Sequence, residues 1–233
     1  GALTLAPSDP NVLWVGTGEG DPRNSVGYGW GVYRSDDAGD TWKHLGLKKT
    51  ERIKRIVVDP NDPDVACVCA LGKEWGPNPE RGVFKTTDGG KSWDKILYVD
   101  EDTGCADLDM ENDNPRIMYA GMWTFRRKPW RFDDGGKETS LYRTMDGGET
   151  WETAHTGEAS LFGLNLNAAG GGFAVGQEGR IIRTEDGGVT WTEASSPTGG
   201  ILLSVWSSPE GEVLISGIRS LLRSSDGSTS WEL

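Results

Sequence analysis

The chain has 233 residues with 34 glycines, 11 prolines and 11 tryptophans, and 24 Lys+Arg against 36 Asp+Glu give a net charge of −12. This glycine content is about double the usual ~7%, so it favours many short elements joined by tight turns over long helices. The acidic balance argues against a nucleic-acid binder, which normally carries a basic footprint, and no apolar run reaches the ~18 residues that a membrane-spanning helix needs.

A box of eight residues, Ser/Thr-x-Asp-x-Gly-x-Thr/Ser-Trp, occurs five times along the chain. Only the fifth copy departs from the pattern, with Ser228 in place of the glycine of the pattern. The aspartate and tryptophan of each copy are Asp37 and Trp42, Asp88 and Trp93, Asp146 and Trp151, Asp186 and Trp191, and Asp226 and Trp231. The tryptophans lie 51, 58, 40 and 40 residues apart, so the basic period is 40 and the longer intervals carry insertions.

Each period is interpreted as four short strands, A to D, with the box between C and D. Residues 12–16, 65–69, 117–121, 173–176 and 212–217 are the predicted B strands, and residues 32–34, 83–85, 141–143, 181–183 and 220–224 are the C strands. Antiparallel four-stranded units at this period are typical of propeller blades. The sequence therefore predicts an all-β fold, a β-propeller of five four-stranded antiparallel blades in one domain. The blades are expected at about 1–47, 48–99, 100–156, 157–197 and 198–233.

The chain changes character after the third unit. Units one to three have Asp/Asn-Pro turns between strands A and B, whereas units four and five have glycine turns and no insertions. This predicts a seam between two repeat lineages near residues 155–160, of natural or engineered origin. Gly1–Leu5 carries neither an initiator Met nor a charged region, so it is interpreted as a mature, trimmed or engineered terminus rather than a signal peptide.

Unit one begins with strand A and unit five ends in strand D, so no strand exchange is expected to close the ring. We expect a monomer closed by packing of unit one on unit five. An incomplete ring is the alternative, in which two chains join as a ten-bladed homodimer. Each C strand ends in Arg or Lys, which is predicted to be a solvated edge position with its stem on the sheet.

The three cysteines are predicted to be buried free thiols. Cys67 and Cys69 are two residues apart in an apolar run, so they share one face of a strand, where neighbours rarely bridge. His44 and His155 are the two histidines, and each follows a box tryptophan. They give neither a Ser/His/Asp set nor metal-ligand spacing, so no metal or cofactor is expected.

The box is interpreted as a turn motif. Its aspartate can accept hydrogen bonds from its own turn, its glycines supply positive φ, and its tryptophan can pack on a neighbour. Repetition spreads one box to each blade, whereas a catalytic or metal site needs convergent groups.

The motif resembles the Asp-box of sialidases and many other propellers, which implies architecture rather than activity. Residues 4–151 resemble bacterial sortilin-like (VPS10-type) BNR-repeat proteins, often labelled glycosyl hydrolases, through residues 16–19, 22–26, 31–33, 70–72, 75–78, 80–83 and 126–130. Residues 158–233 resemble photosystem II assembly factor propellers of the Ycf48/HCF136 type through residues 176–184. Both families usually have more blades than five, and the resemblance favours a secreted or periplasmic protein.

No catalytic residue is assigned from the sequence. A sialidase would need an arginine cluster and an Arg-Ile-Pro motif, and this motif is absent. Asp107 and Asp109 share a strand face about 7 Å apart, within the ~5–9.5 Å that separates glycosidase carboxylates. They are weak catalytic candidates, and acidic groups lining a wet central channel are the favoured interpretation.

The B–C loops of units one to three carry the insertions and are expected to gather on the face opposite the boxes. Aromatic and arginine side chains cluster there, as on surfaces that recognise peptides or sugars. The predicted binding residues are Arg23, Tyr28, Trp30, Trp75, Trp123, Arg126, Arg127, Trp130 and Arg131. The alternative is that these loops pack on each other around their tryptophans.

The sequence thus favours a non-enzymatic scaffold that binds a peptide or protein on the B–C loop face. Two alternatives remain open. One is a carbohydrate-binding or glycoside hydrolase-like protein that uses the loop face and the channel. The other is a repeat fragment or chimera without an evolved ligand.

Overall fold

The computed structural model describes residues 1–20, 26–157, 159–167, 170–228 and 230–232. Short strands dominate, as the glycine-rich turns predict, and no helix of the described residues is long and apolar enough to cross a membrane. The strands are β1 (Ala2–Ala6), β2 (Asp9–Gly16), β3 (Val32–Ser35), β4 (Lys43–His44), β5 (Ile53–Val58), β6 (Ala66–Ala70), β7 (Gly82–Thr86), β8 (Asp94–Leu97), β9 (Thr103–Met110), β10 (Met118–Lys128), β11 (Arg131–Asp134), β12 (Ser140–Thr144), β13 (Glu152–Thr156), β14 (Leu161–Leu166), β15 (Gly172–Gly176), β16 (Ile181–Thr184), β17 (Thr192–Ala194), β18 (Leu202–Ser207), β19 (Val213–Gly217) and β20 (Ser220–Ser224). Two 3₁₀ turns, Lys48–Thr50 and Gln177–Gly179, interrupt the loops.

The strands form five antiparallel sheets in chain order. Sheets one, two and four have four strands each: β1–β4, β5–β8 and β14–β17. Sheet three holds β9, β10, β12 and β13. It also has a fifth strand, β11, because the 11-residue β10 continues into the loop insertion and forms a hairpin with β11 there. Sheet five holds β18–β20, and its fourth position is a single bridge between Arg223 and Glu232. The all-β prediction is confirmed. The prediction of four strands in every unit does not hold for sheet three, which has five strands, or for sheet five, which has three.

Neighbouring sheets pack face to face through alternating apolar side chains. Between sheets one and two, Trp14 and Val12 lie against Ile56, Val68 and Phe84. Three similar layers fill the spaces between the following sheets. The first strands β5, β9, β14 and β18 lie side by side in chain order, so they line the inner side of the row of sheets. The link between β13 and β14, where the seam is predicted, contains residue 158, which lies outside the described residues.

Each box closes the turn between the third and fourth strands of its unit. In the second copy, Asp88 Oδ1 accepts Thr86 Oγ1 at 2.8 Å and Ser92 N at 3.0 Å, and Oδ2 accepts Ser92 Oγ at 2.6 Å. Thr86 Oγ1 in turn accepts the N–H of Gly90 at 2.9 Å. These hydrogen bonds, led by the Ser92 hydroxyl, lower the pKa of Asp88 to about 2. The other four copies repeat the arrangement.

In units one to four, the basic residue that ends the third strand reaches the next sheet. Lys85 Nζ donates to Gly147 O at 2.7 Å, and Arg183 Nη1 donates to Gly227 O at 3.0 Å, both in the box of the following unit. Arg143 Nη1 donates to Gly188 O at 3.3 Å in the same way. Arg34 instead pairs with Asp64 at 2.6 Å, in the A–B turn of sheet two. The predicted solvated edge is therefore wrong for these four positions, because a neighbouring sheet supplies acceptors that one unit alone does not contain.

The box also reaches back to the preceding sheet. Trp93 Nε1 donates to Leu45 O at 2.8 Å, and Trp231 Nε1 donates to Ser195 O at 2.9 Å. A Cβ on the second box glycine would collide with the preceding sheet, at 2.5 Å from Leu45 for Gly90 and 2.3 Å from Tyr119 for Gly188. Positive φ and this close approach together explain why glycine recurs there.

The outer faces of the first and last sheets have no neighbouring sheet among the described residues. Leu3 and Leu5 on sheet one are 68% and 56% exposed, and Trp206 and Leu221 on sheet five are 49% and 64% exposed. The packing of unit one on unit five that would close a ring is thus not seen in the described part of the chain.

The prediction of three free thiols is wrong for two of the cysteines. Cys69 on β6 and Cys105 on β9 form a disulfide with a Cα–Cα distance of 5.0 Å, which joins sheets two and three. The prediction considered only a bond between Cys67 and Cys69 on one strand, whereas the partner of Cys69 lies on the facing sheet. Cys67 is a buried free thiol whose pKa is raised to about 12 by burial.

Candidate functional site

Four first strands carry a β-bulge at the same position of the repeat. Strand pairing skips Lys54 on β5, Ala106 on β9, Phe162 on β14 and Leu203 on β18. A bulge leaves one residue outside the ladder and re-aims its side chain. Because the four strands lie side by side, their four bulged residues come together.

These residues line a cavity of about 310 Å³, here called the bulge cavity. It lies where the second strands end, so it opens on the B–C loop side of the sheets. Its other lining residues are Gly20, Leu71, Trp123, Phe132, Asp134, Gln177, Ile201 and Ile218. The walls are mainly apolar with a few polar groups at the side, a composition typical of ligand pockets.

One wall of the bulge cavity is aromatic. The buried Trp123 ring stacks on Phe125 with centroids 4.4 Å apart, and meets the edges of Phe162 at 5.0 Å and Phe132 at 5.9 Å. The inserted loop of unit three thereby forms a small core with β14. Trp123 thus packs among the residues of the insertion, as the alternative interpretation of the loop tryptophans expects. It also lines the bulge cavity.

Asp134 is the polar centre of this wall. Its Oδ1 accepts Trp123 Nε1 at 2.5 Å and Ser160 Oγ at 3.2 Å, and its Oδ2 accepts the Gln177 amide. These bonds join the β10–β11 hairpin to sheet four. Among the described residues that line the cavity, Asp134 is the single carboxylate, so they do not provide the carboxylate pair of a glycosidase.

Arg81 supports the aromatic wall from behind. Its buried guanidinium donates to Lys73 O at 2.6 Å, Asp102 O at 3.1 Å and Phe125 O at 3.4 Å, and lies 4.1 Å from the Phe125 ring centroid. Burial lowers the pKa of Arg81 to about 10. The side chain therefore ties two loops of units two and three to strand β10.

A second buried cation, Arg52, lies close to Glu74. Arg52 Nε donates to Gly72 O at 2.9 Å, and its Nη1 is 3.9 Å from Glu74 Oε2. Glu74 Oε1 accepts Arg127 Nε at 3.1 Å. Neither Arg52 nor Arg81 is distinguished by the sequence pattern from the solvated basic residues around it.

The predicted binding residues separate into three groups. Trp123 lines the bulge cavity. The arginines are paired: Arg126 with Asp102, Arg127 with Glu74, and Arg131 with Asp133. The remaining aromatic side chains are exposed on the loops, and they are Tyr28, Trp30, Trp75 and Trp130. Arg23 lies outside the described residues.

Asp107 and Asp109 join two first strands, β9 and β14. Asp107 Oδ2 accepts Leu164 N at 2.8 Å, and Asp109 Oδ2 accepts Leu166 N at 2.7 Å, both from β14. Burial raises the pKa of both carboxyl groups, that of Asp109 to about 6. The wet-channel interpretation is wrong for Asp107, which is 9% exposed.

The sequence pattern did not single out Lys54, Phe162, Leu203, Ile201 or Ile218. One signal was present: the four bulged residues each lie two positions before a buried core residue of the same unit. Those core residues are Ile56, Leu108, Leu164 and Val205. Simple alternation would place the bulged residue and the core residue on the same face of the sheet. The bulge instead directs the bulged residue toward the cavity.

Comparison with protein-family models gives a match over residues 31–162 to the Sortilin-Vps10 model, described as sortilin, neurotensin receptor 3. Among curated proteins, a xyloglucanase of a Paenibacillus species is 27% identical over 172 residues, which is 64% of this chain and 16% of that protein. Xyloglucanase Xgh74A of Acetivibrio thermocellus is 26% identical over 171 residues, or 65% of this chain and 19% of that protein. The chain thus spans less than a fifth of these relatives.

Solved structures share the fold at low sequence identity. An ancestral GH74 enzyme has a TM-score of 0.73 and 14% identity, covering 99% of this chain and 30% of that one. The GH74 xyloglucanase of Xanthomonas campestris has a TM-score of 0.68 and 18% identity, covering 99% of this chain and 37% of that one. YCF48 bound to D1 peptide has a TM-score of 0.61 and 16% identity, covering 99% and 65%.

Proposed function

The chain belongs to the Sortilin-Vps10 family, and we propose that its five sheets are propeller blades that present the bulge cavity to a peptide or protein segment. The observation that carries this proposal is the convergence of four bulges on one apolar cavity. One bulge can be a local irregularity. Four at one repeat position, all lining the same space, favour a binding role.

The size and chemistry of the cavity suit a short apolar segment. About 310 Å³ is at the lower end of the ~300–1,000 Å³ range of ligand pockets. Aromatic and aliphatic walls favour an apolar side chain through the release of water from both surfaces. The YCF48 protein that shares the fold was solved with a bound peptide, which makes a peptide a reasonable first probe.

A carbohydrate is the second candidate ligand. The curated relatives are xyloglucanases, and Trp75 and Trp130 are exposed on the loops of units two and three. Flat aromatic surfaces of this kind can stack on sugar rings. These tryptophans are not among the described residues that line the bulge cavity, so the two candidates use different side chains.

The two candidates are separable by binding measurements on matched variants. We expect a peptide selected from a random phage-displayed library to lose at least about tenfold in affinity with Leu203→Asp, since the variant places a charge in the cavity. Trp130→Ser should change that affinity by less than about twofold. Calorimetric titration with xyloglucan oligosaccharides should show no binding heat, either with the wild type or with Trp130→Ser.

The opposite pattern would contradict the peptide proposal. If no selected peptide is sensitive to Leu203→Asp, or if xyloglucan binds and Trp130→Ser abolishes its binding, the loop tryptophans rather than the cavity form the site. Far-UV circular dichroism of each variant checks that the fold is retained.

A further inference from the structure

Two neighbouring carboxylates on β11, Asp133 and Asp134, have different kinds of partner. Alternation along the strand points their side chains to opposite faces of the β10–β11 hairpin. Asp133 accepts from both cations of the hairpin, Lys128 Nζ and Arg131 Nε, at 2.5 Å each. Among the described residues no cation pairs with Asp134, and its hydrogen bonds come from neutral groups.

Asp134 is held in a fixed position at the side of the bulge cavity. Trp123 Nε1 donates to its Oδ1 at 2.5 Å, Ser160 Oγ donates to the same oxygen at 3.2 Å, and the Gln177 amide donates to its Oδ2. Neutral donors orient a carboxylate but do not cancel its charge. Because Asp134 is exposed, an incoming group can reach it. A fixed and accessible carboxylate of this kind favours a cationic partner, since hydrogen bonds between ionised groups are the strong ones.

The other charges around the bulge cavity have partners of their own. Lys54 is the single cation among the described residues that line it. Burial raises the pKa of Asp107, and the charge of Lys54 is among the effects that partly offset this rise, so Lys54 already acts on a carboxylate of β9. Arg127 lies 4.8 Å from the Phe132 ring centroid and pairs with Glu74. The chain therefore supplies cations for its other carboxylates near the cavity.

We propose that the segment bound in the bulge cavity carries a cation, the ammonium of a lysine or the guanidinium of an arginine, which pairs with Asp134 beside an apolar side chain on the aromatic wall. This inference rests on the proposed function, because it names the charge of the segment that the cavity takes. The rings of Trp123 and Phe132 line the same wall, and aromatic faces attract cations. The net charge of −12 also raises the concentration of cationic ligands near the protein.

Small probes that differ in charge test the pairing without a selected peptide. Phenethylammonium, neutral phenethyl alcohol and anionic phenylacetate each combine a phenyl ring with a short polar chain. Proton–nitrogen correlation NMR follows the indole N–H of Trp123, which bonds Asp134 and is assigned by its loss in Trp123→Phe. We expect phenethylammonium to bind at least about fivefold more tightly than the alcohol, and phenylacetate to bind more weakly than the alcohol. Added sodium chloride should weaken binding of the ammonium and leave that of the alcohol unchanged.

Matched substitutions separate the cavity carboxylate from its neighbour. Asp134→Asn keeps an oxygen for the Trp123 N–H and removes the charge, so phenethylammonium and phenethyl alcohol should bind this variant alike. Asp133→Asn removes a carboxylate of the same hairpin that is not among the described lining residues, and it should keep the preference of the wild type. Circular dichroism checks that both variants are folded.

Equal binding of phenethylammonium and phenethyl alcohol to the wild type would overturn the pairing while leaving an apolar site in the cavity. A preference for the ammonium that survives Asp134→Asn, or no shift of the Trp123 signal with any probe at millimolar concentration, would overturn it as well. The proposed function fails on a different result, a set of selected peptides that is insensitive to Leu203→Asp. The two failures are therefore distinguishable.

Discussion

At the scale of single residues, Asp109 is a buried carboxyl group whose charge is costly. Burial raises its pKa from 3.8 to about 6, although the N–H groups of Leu166 and Met110 partly offset that cost. The folded protein therefore binds this proton more tightly than the unfolded chain does. Stability from this group is present below about pH 4 and is lost as the pH rises through about 6.

We expect Asp109→Asn to remove this pH dependence, because an amide stays neutral while its oxygen can still accept from Leu166 N. Between pH 4 and pH 7, the wild type should lose up to about 3 kcal/mol of unfolding free energy relative to the variant. Urea unfolding at a series of pH values measures the difference. Asp94→Asn, at an exposed position, is the control, and parallel profiles for Asp109→Asn and wild type would contradict the argument.

The hydroxyl of Thr86 is a second residue whose role is set by burial. It donates to Asp88 and accepts the N–H of Gly90 inside the turn. Thr86→Val keeps the shape but leaves that N–H without its acceptor, so we expect a loss of about 1–3 kcal/mol in unfolding free energy. Thr87→Val, at the exposed neighbouring position, should change stability by less than about 0.5 kcal/mol. Equal effects of the two substitutions in urea unfolding would argue against the role of the box hydroxyl.

At the scale of elements, the third strands hold consecutive sheets together through their last residue. Arg183 ends β16 and donates to the box of sheet five, whereas Arg223 ends β20 with no sheet after it in the described chain. We expect Arg183→Met to lower the unfolding free energy by about 1 kcal/mol. Arg223→Met, at the same repeat position, should lower it by less than about 0.5 kcal/mol. Urea unfolding measures both changes, and a larger effect at Arg223 than at Arg183 would contradict this role of the third-strand arginine.

At the scale of the whole molecule, the Cys69–Cys105 disulfide is a covalent bond between two sheets that are also joined by packing and hydrogen bonds. Cys69 and Cys105 are 36 residues apart, and closing a loop of that length removes unfolded-state entropy worth about 3–4 kcal/mol. Disulfides of this kind form and persist in oxidising environments.

We expect Cys69→Ala/Cys105→Ala to lower the unfolding free energy by about that amount, and dithiothreitol to have no further effect on the variant. Reduced wild type should be destabilised to a similar degree. Cys67→Ala should leave the response to dithiothreitol intact, since Cys67 is a free thiol. A wild type that unfolds identically with and without reductant would contradict the disulfide.

The sequence by itself determined the number of units, the position of each box and the strand order within a unit, because these features depend on local chemistry. Turn residues and alternation act over a few neighbours, so the Thr86–Trp93 box and strands such as β15 are predictable from the pattern.

Tertiary structure decided every feature that depends on which side chains meet across sheets. Cys69 finds Cys105 on the facing sheet, Lys85 finds the next box, and the carboxylate of Asp107 finds the backbone of β14. The candidate site belongs to the same class. A bulge shifts the register by one residue, which the alternation of apolar residues does not reveal. Only the meeting of four such shifts brings Lys54, Ala106, Phe162 and Leu203 to one cavity.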